Sequence, residues 1–223
     1  MNTNYIISKG VCYIMNISSW KTILKEYIKN NFKEYLLVCI LFIIGIFIGV
    51  MTINFSNENN IEEIEKVINE VVNNYKKVEN INNLQLTFQS IKRNVLFAII
   101  LWTGGTTIIG LPIVLLSILI RGVILGFTIS SITVALGTLK GILFCIVSLV
   151  LQNILYIPAI LTIGVSSIKL YKSIITDKRK ENIKIEIIRH TIISTIMIAV
   201  LVLSTIIENF ISLKIIKKII KYF

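Results

Sequence analysis

Charged positions vanish from this chain over long stretches. None occurs between Glu34 and Glu58, and between Val95 and Ile168 there are only Arg121 and Lys140. Such runs exceed the ~20 apolar residues with which a helix crosses a hydrocarbon core. They also recur along the chain, unlike the single apolar segment of a signal peptide. The pattern predicts an all-α integral membrane protein of about five transmembrane helices, with an amphipathic N-terminal helix and a helical extracytoplasmic loop.

Residues 1–34 form a cytoplasmic N-terminal segment. From Ser19 onward Trp20, Ile23, Leu24, Tyr27, Ile28 and Phe32 recur at helical spacing, with Lys21, Lys25 and Lys29 on the opposite stripe. This pattern suits an interfacial helix, its apolar face in the headgroup boundary. The first transmembrane helix is expected over 35–53, where Gly45 and Gly49 are spaced to let another helix approach closely. Residues 54–94 read as the helical extracytoplasmic loop. Within it Ile61, Ile64, Ile68, Val71 and Tyr75 alternate spacings of three and four, a heptad seam that must be buried on something. Its own membrane bundle, a second copy of the chain in a homodimer, and another protein are the three candidates, so these residues also form the candidate partner-docking seam.

Residues 95–165 hold three further spans. The second, 95–120, is interrupted by Gly104, Gly105, Gly110 and Pro112, which predicts a bend or an unwound stretch, and Arg121 ends it at the cytoplasmic edge. The third, 122–139, stacks Gly122, Gly126 and Ser130 on one face for helix packing. Lys140 marks a tight hairpin. The fourth, 141–165, carries Gln152 and Asn153 near mid-bilayer, with Pro158 beyond. A cytoplasmic basic loop over 166–190, a fifth span over 191–207 and an amphipathic basic tail over 208–223 complete the chain. The basic flanks, Lys21 to Lys33 and Lys169 to Arg189, place the amino terminus inside and the heptad segment and carboxyl terminus outside.

Composition narrows the chemistry. The 223 residues are 55% hydrophobic and 16% charged, where a soluble domain carries about 25% charged. The net charge of +11 comes from 23 Lys and Arg against 12 Asp and Glu. Because the basic residues flank apolar runs, membrane lipid rather than nucleic acid is the implied partner. One histidine, His190, and one aspartate, Asp177, cannot supply a His-rich metal site, a Ser-His-Asp triad or an aspartate pair. Cys12, Cys39 and Cys145 are far apart. No catalytic, cofactor-binding or metal-binding set emerges, and an enzyme is not expected. Of the intramembrane and boundary polar residues, Gln152 and Asn153 do not titrate and serve to bond helices or line a polar path. Arg121 can snorkel as an orientation signal. Glu208 leaves the membrane on the side of Lys92, Arg93 and Lys140, any of which could pair with it.

These fragments also have a familiar order. Leu101 Trp102 Thr103 Gly104 Gly105, then Ile109 Gly110 Leu111 Pro112, then Arg121 Gly122 with Gly126 Phe127 Thr128, then Gln152 Asn153 and Ile157 Pro158 Ala159, closely resemble the stage II sporulation protein M family. The Trp20 lead-in, the glycine pair of the first span, the outer loop and Glu208 agree with it over nearly the whole chain. One departure is Leu151, where the family pattern has proline before the glutamine and asparagine. The resemblance implies a non-enzymatic membrane scaffold of the sporulation engulfment complex in endospore-forming bacteria. It would anchor two peptidoglycan-degrading enzymes at the septum in the mother-cell membrane: stage II sporulation protein D, a lytic transglycosylase, and protein P, an amidase and endopeptidase. The alternative from the residues alone is a permease-like transmembrane subunit of a transporter, since glycine- and proline-broken helices often line substrate paths. That reading predicts a water-accessible cavity around Gln152 and Asn153.

Overall fold

The computed structural model describes residues 26–77, 83–107, 109–146, 151–176 and 180–207. The described residues form seven principal helices: α1 (Phe32–Asn54), α2 (Glu58–Lys77), α3 (Asn83–Gly105), α4 (Gly110–Leu136), α5 (Thr138–Cys145), α6 (Leu151–Thr176) and α7 (Lys180–Ile207). Among the described residues, four segments are long and apolar enough to cross a membrane: Phe32–Asn54, Gly110–Leu136, Asn153–Thr176 and Ile183–Ile207. The expected interfacial helix lies mostly outside the described residues. Glu208 and the basic tail also lie outside them, as do the side chains of Tyr75 and Gln152.

α6 is the axis of the bundle. It packs against α1, α3, α4 and α7, and 61% of its most apolar stretch is buried within the protein, against 22–28% for the other three membrane segments. Around it α1 lies along α4 and α3 along α7. The outward stripes, such as Leu36, Ile40, Ile43 and Phe47 on α1, stay exposed, as lipid-facing positions of a membrane helix must. α1 and α4 run in the same direction, because Phe42 meets Gly122 and Ile46 meets Gly126. α6 runs opposite to α1, since Gly164 lies against Val38 and Lys172 pairs with Glu34 at 2.6 Å. One end of the bundle thus gathers Glu34, Lys169, Lys172 and Arg189, and is called here the basic end. α2 lies at the other, far end, against α4.

The middle of the chain corrects the expected boundaries. Residues 95–120 are not one bent span but a hairpin: α3 stops at Gly105, and α4 starts at Gly110. The Gly110 N–H donates to Thr107 Oγ1 at 3.0 Å, and Thr107 Oγ1 donates to the Gly104 carbonyl at 3.2 Å. Pro112 therefore falls in the first turn of α4, where a missing N–H removes no helical hydrogen bond. It starts a helix instead of breaking one. α4 then continues through Arg121 to Leu136, so this arginine stands in a helix interior and not at an edge. The expected fourth span divides into α5 and α6, and most of the expected basic loop is helical, in α6 and α7. α4 and α5 are joined by Gly137, whose φ of 80° L side chains rarely adopt.

Candidate functional site

The glycines of α1 and α4 form one contact. A methyl group on Gly45 would overlap the Leu119 carbonyl oxygen, and one on Gly49 the Val123 carbonyl. From the other side, methyl groups on Gly122 and Gly126 would strike the carbonyls of Phe42 and Ile46. The two backbones touch directly at all four positions. In lipid, where helices gain little from hiding apolar surface, close packing of this kind is a principal source of association. Gly104, Gly105 and Gly110 work differently, at the hairpin. Gly104 faces Val114, Gly105 faces Ser167 and the His190 ring, and Gly110 closes on the Gly104 carbonyl.

That hairpin rests on a polar cluster near the basic end. His190 is buried, with Nδ1 3.0 Å from Ser166 Oγ and Nε2 3.2 Å from the Trp102 carbonyl oxygen. The carbonyl can only accept, so Nε2 carries the proton and Nδ1 accepts from the serine. Trp102 Nε1 donates to Thr191 Oγ1 at 3.3 Å. α3, α6 and α7 are thereby tied together where α3 ends, the Trp102 carbonyl accepting from His190 as well as from the Thr106 N–H. Nearby, Tyr35 Oη and Thr162 Oγ1 lie 3.0 Å apart between α1 and α6.

Arg121 marks a second polar region, at mid-bundle. Its neighbour Gly122 packs on Phe42 and Gly45, near the middle of α1. The guanidinium lies over the ring of buried Tyr156, 4.4 Å from the centroid. Both line a groove of about 300 Å³ between α3 and α4 that also holds Arg93, Asn94 and Ser117. Asn94 is buried and donates through Nδ2 to Thr205 Oγ1 at 2.9 Å, tying α3 to α7.

At the far end, α2 turns its seam toward the bundle. Ile61, Ile64 and Ile68 are partly buried, and Ile68 packs on the cluster of Ile132, Phe144 and Cys145. The centre of the candidate docking seam is thus occupied by this chain's own helices. Val71 and the off-seam Val67 remain exposed, at 43% and 58%. Val67, Ile64 and Glu63 border a cleft of about 530 Å³ whose opposite wall includes Phe127 and Ser131. A separate cavity of about 550 Å³ contains Asn153, but Leu125, Ile129, Cys145, Ile154 and Pro158 make its lining predominantly apolar.

A family model, stage II sporulation protein M, matches residues 38–213, from the first turns of α1 past the end of α7. The chain belongs to the stage II sporulation protein M family. Membership makes it a sporulation membrane protein, and the matched region holds both the hairpin glycines and the Arg121–Gly122 pair. No curated protein and no solved structure matches the chain.

Sequence reasoning left the His190 cluster and the Arg121–Tyr156 pair unassembled. A lone histidine in an apolar run gives no sign of its partners, which come from helices 24 and 88 residues away. The arginine did carry a signal. Gly110 and Pro112 suit the start of a helix, and a helix started there places Arg121 three turns inside it.

Proposed function

We propose that this member of the family is the non-enzymatic scaffold that holds peptidoglycan-degrading enzymes, proteins D and P, at the septal membrane of the mother cell during engulfment. The observation that carries the reading is the placement of α2. It is an amphipathic helix packed by one face onto the far end of a membrane bundle, with Val67 exposed at the border of a cleft and Val71 exposed one turn further along. A scaffold needs an exposed surface held in a fixed position, and this helix supplies one. Exposed apolar residues beside a cleft, edged by the charges of Glu63 and Lys66, are the kind of patch that marks protein contact.

The test is co-purification from sporulating cells in mild detergent, with the full chain carrying Val67→Asp. The variant should accumulate normally yet lose both enzymes, and the enzymes should spread away from the septum. Undiminished recovery of both enzymes with Val67→Asp and with Val71→Asp would remove α2 from the docking surface.

A further inference from the structure

The groove around Arg121 is a charged site with half of its chemistry missing. From Asn80 to Thr176 the sequence contains no aspartate or glutamate, so α3, α4, α5 and α6 carry no carboxylate at all. Among the described residues, the ion pairs of Glu34 with Lys172 and Glu186 with Arg189 lie at the basic end, and neither Arg93 nor Arg121 is paired with a carboxylate. Arg121 is eleven residues from the start of α4 and fifteen from its end, about 16 Å and 22 Å along the axis. A cation at that depth is costly unless another group compensates it, and it marks a functional site by default. The Tyr156 ring offers only its quadrupole.

The groove is also open sideways. Ile120 and Ile124, which flank Arg121 on α4, are exposed, so the opening faces the plane of the membrane and not either end of the bundle. A phospholipid phosphate resides at the interface, roughly 15 Å from the bilayer centre, and reaches this depth only by deforming the bilayer. A carboxylate carried on a transmembrane helix reaches it without deformation, while the rest of that helix covers Ile120 and Ile124.

We infer that the Arg93–Arg121 groove receives a transmembrane helix of a partner protein bearing an acidic side chain near its middle, whose carboxylate pairs with Arg121. This rests on the scaffold reading, which it deepens by giving the partner's membrane anchor a stated chemistry: one Asp or Glu among apolar residues. Arg93, on the opposite wall, supplies further donors to the same carboxylate.

The probe is a set of synthetic polyleucine transmembrane peptides with a single central Glu, Gln or Lys, mixed with the full chain in phosphatidylcholine vesicles at mildly alkaline pH. Energy transfer from labelled chain to labelled peptide reads association. The Glu peptide should bind at least tenfold more tightly than the Gln peptide, and Arg121→Gln should remove that preference. Arg121→Glu should reverse it, favouring the Lys peptide, a result that a merely misfolded variant cannot give. Equal binding of Glu and Gln peptides to the unaltered chain would overturn the inference. So would a Glu preference that survives Arg121→Gln. Binding that appears only after Glu208→Gln would assign the groove to this chain's own carboxylate. Loss of the Glu preference in phosphatidylglycerol vesicles would assign it to anionic lipid. The peptides contain no enzyme, so failure here leaves the co-purification test of the scaffold role untouched.

Discussion

The Arg121 guanidinium stacks on Tyr156, 4.4 Å from the ring centroid, and so joins α4 to the central helix α6 at mid-bundle. In a desolvated setting such a contact contributes about 2 kcal/mol. Tyr156→Phe keeps the ring and Tyr156→Leu removes it, while both lack the hydroxyl. The leucine variant should therefore unfold more readily than the phenylalanine variant by about 1–2 kcal/mol in a detergent melt. Equal melting of the two would mean that the ring contributes packing alone.

The glycine contact makes a sharper distinction. A methyl on Gly126 meets the Ile46 backbone, which cannot rotate away, whereas one on Gly104 meets Val114 Cγ2 at 3.1 Å, the end of a side chain. The double variant Gly122→Ala with Gly126→Ala should lose about 3 kcal/mol or more, since overpacking a rigid contact displaces backbone. Gly104→Ala should cost under about 1 kcal/mol. Yield of monodisperse protein and its melting temperature in detergent will separate them.

Legibility in the sequence followed the physics of each feature. The apolar run of α1 and the small residues of Gly45, Gly49, Gly122 and Gly126 are local signals, and these glycines mark helix faces without any knowledge of the partner. The α3–α4 boundary was misplaced because two neighbouring cues competed. Arg121 at the end of an apolar run suits a cytoplasmic edge, while Gly110 and Pro112 eleven and nine residues earlier already mark a helix start. His190, Trp102 and Ser166 meet only through the packing of α3, α6 and α7, which no local pattern encodes. The heptad of α2 was plain in the sequence, but a periodic seam does not name what it faces.

His190 supports the end of α3 by hydrogen bonding on both ring nitrogens. His190→Phe keeps the volume and leaves the Trp102 carbonyl and the Ser166 hydroxyl with one partner fewer, at a position where both His190 and Ser166 are buried. A loss of about 2–4 kcal/mol is expected, the cost of burying polar groups that have lost a partner. Thermal melting in detergent measures it, and stability equal to the parent would show that water reaches this cluster.

On α2, Val67 and Val71 should behave oppositely to Ile68. Ile68 packs on Ile132, Phe144 and Cys145, so Ile68→Ala should cost about 1–2 kcal/mol, as expected for losing part of a half-buried branched side chain. Val67 and Val71 are exposed, and replacing either with Ala should change stability by no more than about 0.5 kcal/mol. Chemical denaturation of the purified chain checks both. Equal destabilisation at all three positions would mean that α2 is buried on every side.

The hairpin predicts an accessibility pattern that an edge position for Arg121 would not give. If α4 begins at Gly110, the turn containing Thr107 emerges at the basic end, and position 121 lies about 16 Å deeper along the helix. On the topology proposed from the basic flanks, that end faces the cytoplasm. In a chain whose native cysteines are replaced by serine, a cysteine at Thr107 should therefore react with a membrane-impermeant maleimide only in inverted vesicles. One at Glu62 on α2 should react only in intact cells. One at Leu119, beside the glycine contact, should react in neither. Labelling at position 119 as fast as at 107 would place the chain's middle turn near Arg121 and refute the hairpin. Exchange of the 62 and 107 patterns would keep the hairpin and invert the protein in its membrane, which would put α2 in the cytoplasm, out of reach of any enzyme that works on peptidoglycan.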